Sequence, residues 1–180
     1  MTVAGFLALA WLIAYLEREV PSGEPGRARV VDGDSLELHG LRIRLAGIDA
    51  PELTQTCIAD RKIWDCGRQA RQALRFLTAG NVHCDFADTD IYNRWLARCF
   101  RGQMSVNAAM VKRGWAVNTG GYGAEEKRAR ANKSGIWRGD FERPAQWRAA
   151  QRDGYLDLSS GWAALSRWWD GLTNRSGVAE

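Results

Sequence analysis

Apolar and polar positions near the start of the chain fall into three short runs joined by turn formers. Arg29 to Val31, Leu36 to Leu38 and Leu41 to Ala46 read as short strands, the second and third with the period of two expected of half-buried strands up to Leu45. In the third run Leu41, Ile43 and Leu45 share one face, which leaves Arg42 and Arg44 on the other. The period then changes. Ala70, Ala73, Leu74 and Leu77 keep helical spacing from about Gly67 to Thr78, and Gly80-Asn81 stops the run. Strands near Val82 to Phe86 and Leu96 to Phe100 follow. A helix opens at the N-cap residue Ser105 and ends at Gly114, and a basic helix covers Ala124 to Lys133. Strands and helices in this order predict an α+β fold.

The flanks have different patterns. Val3 to Leu16 holds no charged residue, and Pro21-Ser22-Gly23-Glu24-Pro25-Gly26 follows as a polar linker. The run is short of the roughly 20 apolar residues needed to cross a bilayer, and it lacks a basic leader and a small-x-small site. We expect an N-terminal apolar helix at 1–16 that serves as an uncleaved anchor, a linker at 17–27, the main domain at 28–148 and an extension at 149–180. In the extension Trp162, Leu165, Trp169 and Leu172 predict a short amphipathic helix.

Composition adds little. The 180 residues carry a net charge of +4 and are 46% hydrophobic, enough for one cored domain with a mild preference for polyanions. The chemistry lies in two turns. Asp32-Gly33-Asp34-Ser35 is by itself an ordinary turn between strands, and Asp49-Ala50-Pro51-Glu52 an ordinary strand exit. Together with Arg44 they gather four carboxylates and a guanidinium around one predicted hairpin. Hydrolysis of a phosphodiester calls for such a set, because charge grows on the non-bridging oxygens in the transition state. A hard cation on Asp34 and Asp49 and an arginine would stabilise that charge. Glu52, left free of metal, would take a proton from water.

These residues, followed by Asp90-Ile91-Tyr92-Asn93-Arg94-Trp95-Leu96-Ala97, resemble the staphylococcal-type thermonuclease family, with its I-D-G-D-T, R-L-x-x-[IV]-D-[TA]-P-E and D-x-Y-G-R-x-L-A motifs. The likeness extends to about Trp147. It implies a five-stranded OB-like barrel with three packed helices. It also implies Ca²⁺ on Asp34, Asp49 and the Ala50 carbonyl, Glu52 as general base, and Arg44 and Arg94 on the scissile phosphate. The implied activity is hydrolysis of DNA or RNA with little sequence preference to 3′-phosphate products, by a monomer. The alternative is a barrel that binds nucleic acid or protein without turnover. Departures are local: Ala50 stands for threonine, Asn93 for glycine and Ile91 for lysine. Tyr92 keeps the motif's tyrosine, and of the pair that packs on bound nucleotide only Tyr122 has a counterpart.

Four cysteines permit three pairings, and sequence alone does not choose among them. The fold implied by the resemblance places Cys57 and Cys66 at the ends of one loop and Cys84 and Cys99 on neighbouring strands, so those two pairs are expected. Zinc is the weaker reading, since no Cys-x-x-Cys occurs and His39 and His83 lack ligand spacing. Disulfides and the apolar N-terminus together lead us to expect a protein outside the cytoplasm, periplasmic or extracellular, and associated with the membrane through residues 3–16.

Overall fold

A computed structural model describes residues 5–7 and 23–152. The helix expected at 161–172 and most of the N-terminal segment lie outside the described residues. In chain order the strands are β1 (Gly26–Arg27), β2 (Arg29–Val30), β3 (Ser35–Leu38), β4 (Leu41–Leu45), β5 (Ile48–Asp49), β6 (Cys57–Ala59), β7 (Lys62–Trp64), β8 (Asn81–Thr89), β9 (Trp95–Arg101), β10 (Met104–Ser105) and β11 (Val117–Asn118). The helices are α1 (Cys66–Leu77), α2 (Val106–Lys112), α3 (Gly123–Ala131) and α4 (residues 144–152), with a 3₁₀ turn at Gly135–Arg138.

The main sheet runs β1-β8-β9-β4-β3-β2, with β10 paired to β9. Its two edge strands, β1 and β2, are consecutive pieces of one segment joined at Ala28. The sheet therefore curls until its edges nearly meet, giving the expected OB-like barrel and leaving little unpaired edge. Antiparallel ladders join every neighbour except β4 and β9, which pair in parallel with Arg44 opposite Leu96. The alternation seen in the sequence fills the interior: Ile43 and Leu45 of β4, Ala97 and Cys99 of β9 and Val82 of β8 are buried, and α1 closes one end with Ala70, Leu74 and Leu77.

Polar anchors fix the ends of these elements. Ser105 caps α2 as expected, its hydroxyl accepting from the Ala108 N–H at 3.2 Å. Asn107, fully buried, accepts from the Cys99 N–H and donates to the carbonyls of Ala46 and Ala97 at 2.9 and 3.1 Å. This ties the end of β4 to β9 and α2. Gly47 turns the chain from β4 into β5 with φ at +75°, pressed against the carbonyl of Gly120, where a side chain would collide.

The stretch expected as a loop from Thr56 to Gly67 is instead a small hairpin, β6 with β7. Both disulfides form as expected, Cys57 with Cys66 and Cys84 with Cys99, the second pair directly opposite in the β8–β9 ladder. Beneath the hairpin Cys57, Cys66, Val117 and Ile136 make a second small core, flanked by Trp64, Trp137 and Phe141. The basic side of α3 is partly used internally, since Arg130 pairs with Glu126 at 3.2 Å and stacks on Trp137.

Candidate active site

The polar residues of the two turns meet at one end of the barrel. Asp32 shapes the first turn, its carboxylate accepting from the Asp34 N–H at 3.0 Å. The turn sends the Asp34 side chain inward, where it is 5% exposed. There it accepts from the Ser35 hydroxyl at 2.9 Å and from the Ala50 N–H at 3.2 Å. Asp49, 3% exposed, is held from the other side by the pairing of β5 with β11. Arg44 reaches across from β4, its Nη2 2.9 Å from Asp49 Oδ1 and 3.3 Å from Asp34 Oδ2. A carboxylate from the turn before β3 and one from β5 therefore converge on one nitrogen.

Burial and charge set the electrostatics. Desolvation pushes the Asp34 carboxyl up to about 7, with the charge of Asp32 adding to the rise and Arg44 opposing it. Desolvation works against the Arg44 charge as well, but Asp34 and Asp49 outweigh it and leave its pKa raised. The Asp34 carboxylate is thus short of positive charge. Hard oxygen donors, buried and facing one another with the Ala50 carbonyl next in the chain, fit a Ca²⁺ ion in donor type and charge. Among the described residues no three Asp, Glu, His or Cys side chains form a ready-made cage, so water would complete the shell.

Glu52 follows Pro51 on the loop leaving β5. Its N–H is accepted by the Gln55 side chain at 3.2 Å, and Gly67 at the start of α1 packs so closely on its carbonyl that a Cβ there would collide. Arg94 comes from the opposite direction. Asp90, the first residue of the β8–β9 turn, accepts from the N–H groups of Tyr92 and Arg94 and from Arg94 Nε at 2.8 Å. Burial alone would raise the Asp90 pKa, yet these donors and the guanidinium hold it below the usual range. Asn93 takes the left-handed conformation at φ +58°, which Asn tolerates better than most residues. Arg94 Nη1 then lies 3.5 Å from the Ser35 hydroxyl, and its guanidinium sits 5.5 Å from the Tyr92 ring.

The sequence-predicted residues are thereby brought together with one exception. Tyr92 lines the cleft, 65% exposed. Tyr122 does not line it; it packs beside Gly47, and burial raises its pKa while Ser105 hydrogen-bonds its hydroxyl.

One residue at the centre of the site was not foreseen. Arg148 of α4 donates from Nη1 to Asp49 Oδ1 at 3.0 Å and to Glu52 Oε1 at 2.8 Å, and from Nη2 to Asp49 Oδ2 at 3.0 Å. Those acids oppose the burial of its guanidinium and raise its pKa. A lone arginine after Trp147 carries no local signal, and it lies past the end of the family likeness. With Arg148 and Ser35 included, an unbroken chain of polar contacts runs Arg94, Ser35, Asp34, Arg44, Asp49, Arg148, Glu52. It borders a cleft of about 850 Å³ whose walls include Arg42, Arg44, Arg94, Arg148 and Arg152. Five arginines line that cleft beside Glu52 and Asp90, with Asp34 and Asp49 paired behind Arg44 and Arg148, a lining chemically suited to an anion.

Comparison with known proteins agrees with this chemistry. A family model described as staphylococcal nuclease homologue matches residues 42–139. A succinoglycan biosynthesis protein, ExoI, of Rhizobium meliloti (strain 1021) is 36% identical over a match covering 71% of this chain and 72% of that protein. A micrococcal nuclease of Shigella flexneri is 31% identical, covering 69% and 80%. An uncharacterized endonuclease of Escherichia coli O157:H7 is 33% identical, covering 61% and 73%.

Proposed function

The chain belongs to the staphylococcal nuclease homologue family, and from that premise we propose that it is a Ca²⁺-dependent nuclease cleaving DNA or RNA with little sequence preference. The observation that carries the reading is the continuous polar chain from Arg94 to Glu52 along an arginine-walled cleft. Asp34, Asp49 and the Ala50 carbonyl would hold Ca²⁺, which supplies positive charge at the phosphate and lowers the cost of its growing negative charge. Arg44 and Arg94 bind the non-bridging oxygens from opposite sides of the cleft. Glu52 takes the proton of a water that attacks phosphorus in line. The bond from phosphorus to the 5′ oxygen breaks, that oxygen takes a proton from solvent, and the phosphate stays on the 3′ end. Stacking on Tyr92 supports a base beside the scissile bond.

The test uses the purified chain with single- and double-stranded DNA and RNA, in Ca²⁺ or chelator, beside Glu52→Gln. Cleavage should require Ca²⁺ and fall by roughly 10²- to 10⁴-fold in the variant, the range for loss of a general base. Activity indifferent to both changes would sink the mechanism. A barrel that binds without turnover is the second reading, favoured by the pairing of Glu52 with Arg148; its signature is retention of strands in every lane with no product.

We also place the protein outside the cytoplasm, anchored through residues 3–16 and monomeric. The support is the pair of disulfides, which persist in oxidising compartments, and the uncharged N-terminal run. Alkylation of the native protein without reductant should leave its mass unchanged, and cell fractionation should recover it with membranes. Reactive thiols in freshly isolated protein would remove the reading.

A further inference from the structure

Arg148 lies beyond residues 42–139 of the family match, and the segment that delivers it is fastened to the loop of Glu52 at successive points. Ile136 sits in the small core with the Cys57–Cys66 disulfide. Ile58 and Asp140 exchange backbone hydrogen bonds, both at 2.8 Å. Gln55, fully buried, accepts from the Glu52 N–H and donates to the Glu142 carbonyl at 2.7 Å, so one amide side chain joins the two segments. Pro144 is buried at the first position of α4, where proline is favoured, and Arg148 follows one turn later. The loop and the helix thus form one docked unit.

The shape of the guanidinium matters. Its Nη1 is shared between Asp49 Oδ1 and Glu52 Oε1 while Nη2 takes Asp49 Oδ2, a fork that an ammonium cannot reproduce. We propose that Arg148 is a positioning residue that holds Glu52 beside Asp49, and that it competes with the catalytic cation for the Asp49 carboxylate. This rests on the nuclease reading above. The two roles have opposite consequences. Loss of the fork frees the Glu52 side chain and slows proton removal, whereas loss of a positive charge from Asp49 relieves repulsion on any cation entering there.

Arg148→Gln and Arg148→Lys in the full chain separate these effects. Arg148→Gln should lower kcat by roughly 10²-fold, with KM within about threefold, because misplacement of a reacting group acts on the chemical step. The same variant should bind Ca²⁺ several-fold more tightly in calorimetric titration. Arg148→Lys should return Ca²⁺ affinity toward wild type but recover kcat only in part, and millimolar guanidinium should raise kcat in Arg148→Gly. A purely structural role would weaken Ca²⁺ binding and turnover together, in step with a fall in Tm, and that result overturns the proposal. So does a kcat of Arg148→Gln within about threefold of wild type, or unchanged Ca²⁺ affinity. Should the wild-type chain cleave nothing, the nuclease reading fails alone, and the calcium titration still decides whether Arg148 and a cation compete for Asp49.

Discussion

The cleft has two unlike walls. At the β3–β5 corner Asp34 and Asp49 are buried, Arg44 bridges them, and the barrel ladders and Arg148 hold every group in place. At the β8–β9 tip Arg94 is ion-paired with Asp90, beside Ile91 and Tyr92 that are 91% and 65% exposed. The first wall binds charge by preorganisation and bears the cost of burying acids. The second is an exposed turn braced by Asp90. The proposed nuclease would use the first as its reaction centre and the second to grip the strand.

The sharpest test of that contrast is to remove one arginine from each wall. Arg44→Gln and Arg94→Gln should each reduce kcat/KM by roughly 10²- to 10³-fold, the usual cost of one transition-state donor. Their stabilities should differ: loss of Arg44 leaves the buried Asp34 carboxylate without its cation, while Arg148 still pairs with Asp49, and costs about 2 kcal/mol or more, whereas loss of the half-buried Arg94–Asp90 pair should cost about 1 kcal/mol. Equal shifts in thermal denaturation would erase the distinction between the walls.

Acidity provides a second contrast. The Asp34 pKa is raised in the folded state, to about 7, above the ordinary carboxylate value of 3.8. The folded form therefore holds its proton more tightly, so this group's contribution to stability falls as pH rises from about 4 through 7. Between pH 8 and pH 5 in chelator, Tm should rise by roughly 5 °C, at 2–4 °C per kcal/mol. Asp34→Asn should abolish the rise and added Ca²⁺ should flatten it. The Asp90 pKa is lowered instead, so its stabilisation is present above the unfolded value and is lost only on strong acidification. The tip should be indifferent over that same interval.

The disulfides probe rigidity at one wall against rigidity elsewhere. Their sequence separations are 9 and 15 residues, which predicts similar losses of about 2.5–3 kcal/mol when either pair is changed to serine. Only the Cys57/Cys66 pair should also lower kcat, because it braces the loop of Glu52 and the segment leading to Arg148. A kcat effect of equal size from Cys84/Cys99 would spread the preorganisation over the whole barrel. The smallest effect is expected from the aromatics. Tyr92→Ala should raise KM by roughly five- to tenfold at unchanged kcat, near the low end of base stacking. Tyr122→Phe, beside Gly47 and away from the cleft, should leave KM as it is.

How much of this was legible in the chain follows from how local each signal is. Ile43 and Leu45 declare a buried strand face because alternation is written residue by residue, and Ser105 declares a helix start because capping needs only three further residues. Asp34, Asp49, Glu52 and Arg94 are legible because they sit in short contiguous motifs whose joint occurrence carries the family likeness, and their turns, an Asx turn, a proline exit and an asparagine in the left-handed region, form locally. The hairpin of β6 and β7 reads as a loop in the sequence because three-residue strands, Cys57–Ala59 and Lys62–Trp64, are too brief to show a period.

Residues whose role depends on distant partners left no such trace. Arg148 lies 99 positions from Asp49 and 96 from Glu52, and Gln55 lies 87 from Glu142. A hydrogen bond between segments so far apart in the chain imposes no spacing on either of them. The sequence by itself determined the main strands of the barrel, the helices α1 to α3 and the types of chemical group at the site, since these follow from periodicity, turn preference and local motifs. Only the tertiary structure decided that Tyr122 stays out of the cleft and that a C-terminal arginine closes the carboxylate cluster, because packing alone brings those surfaces together.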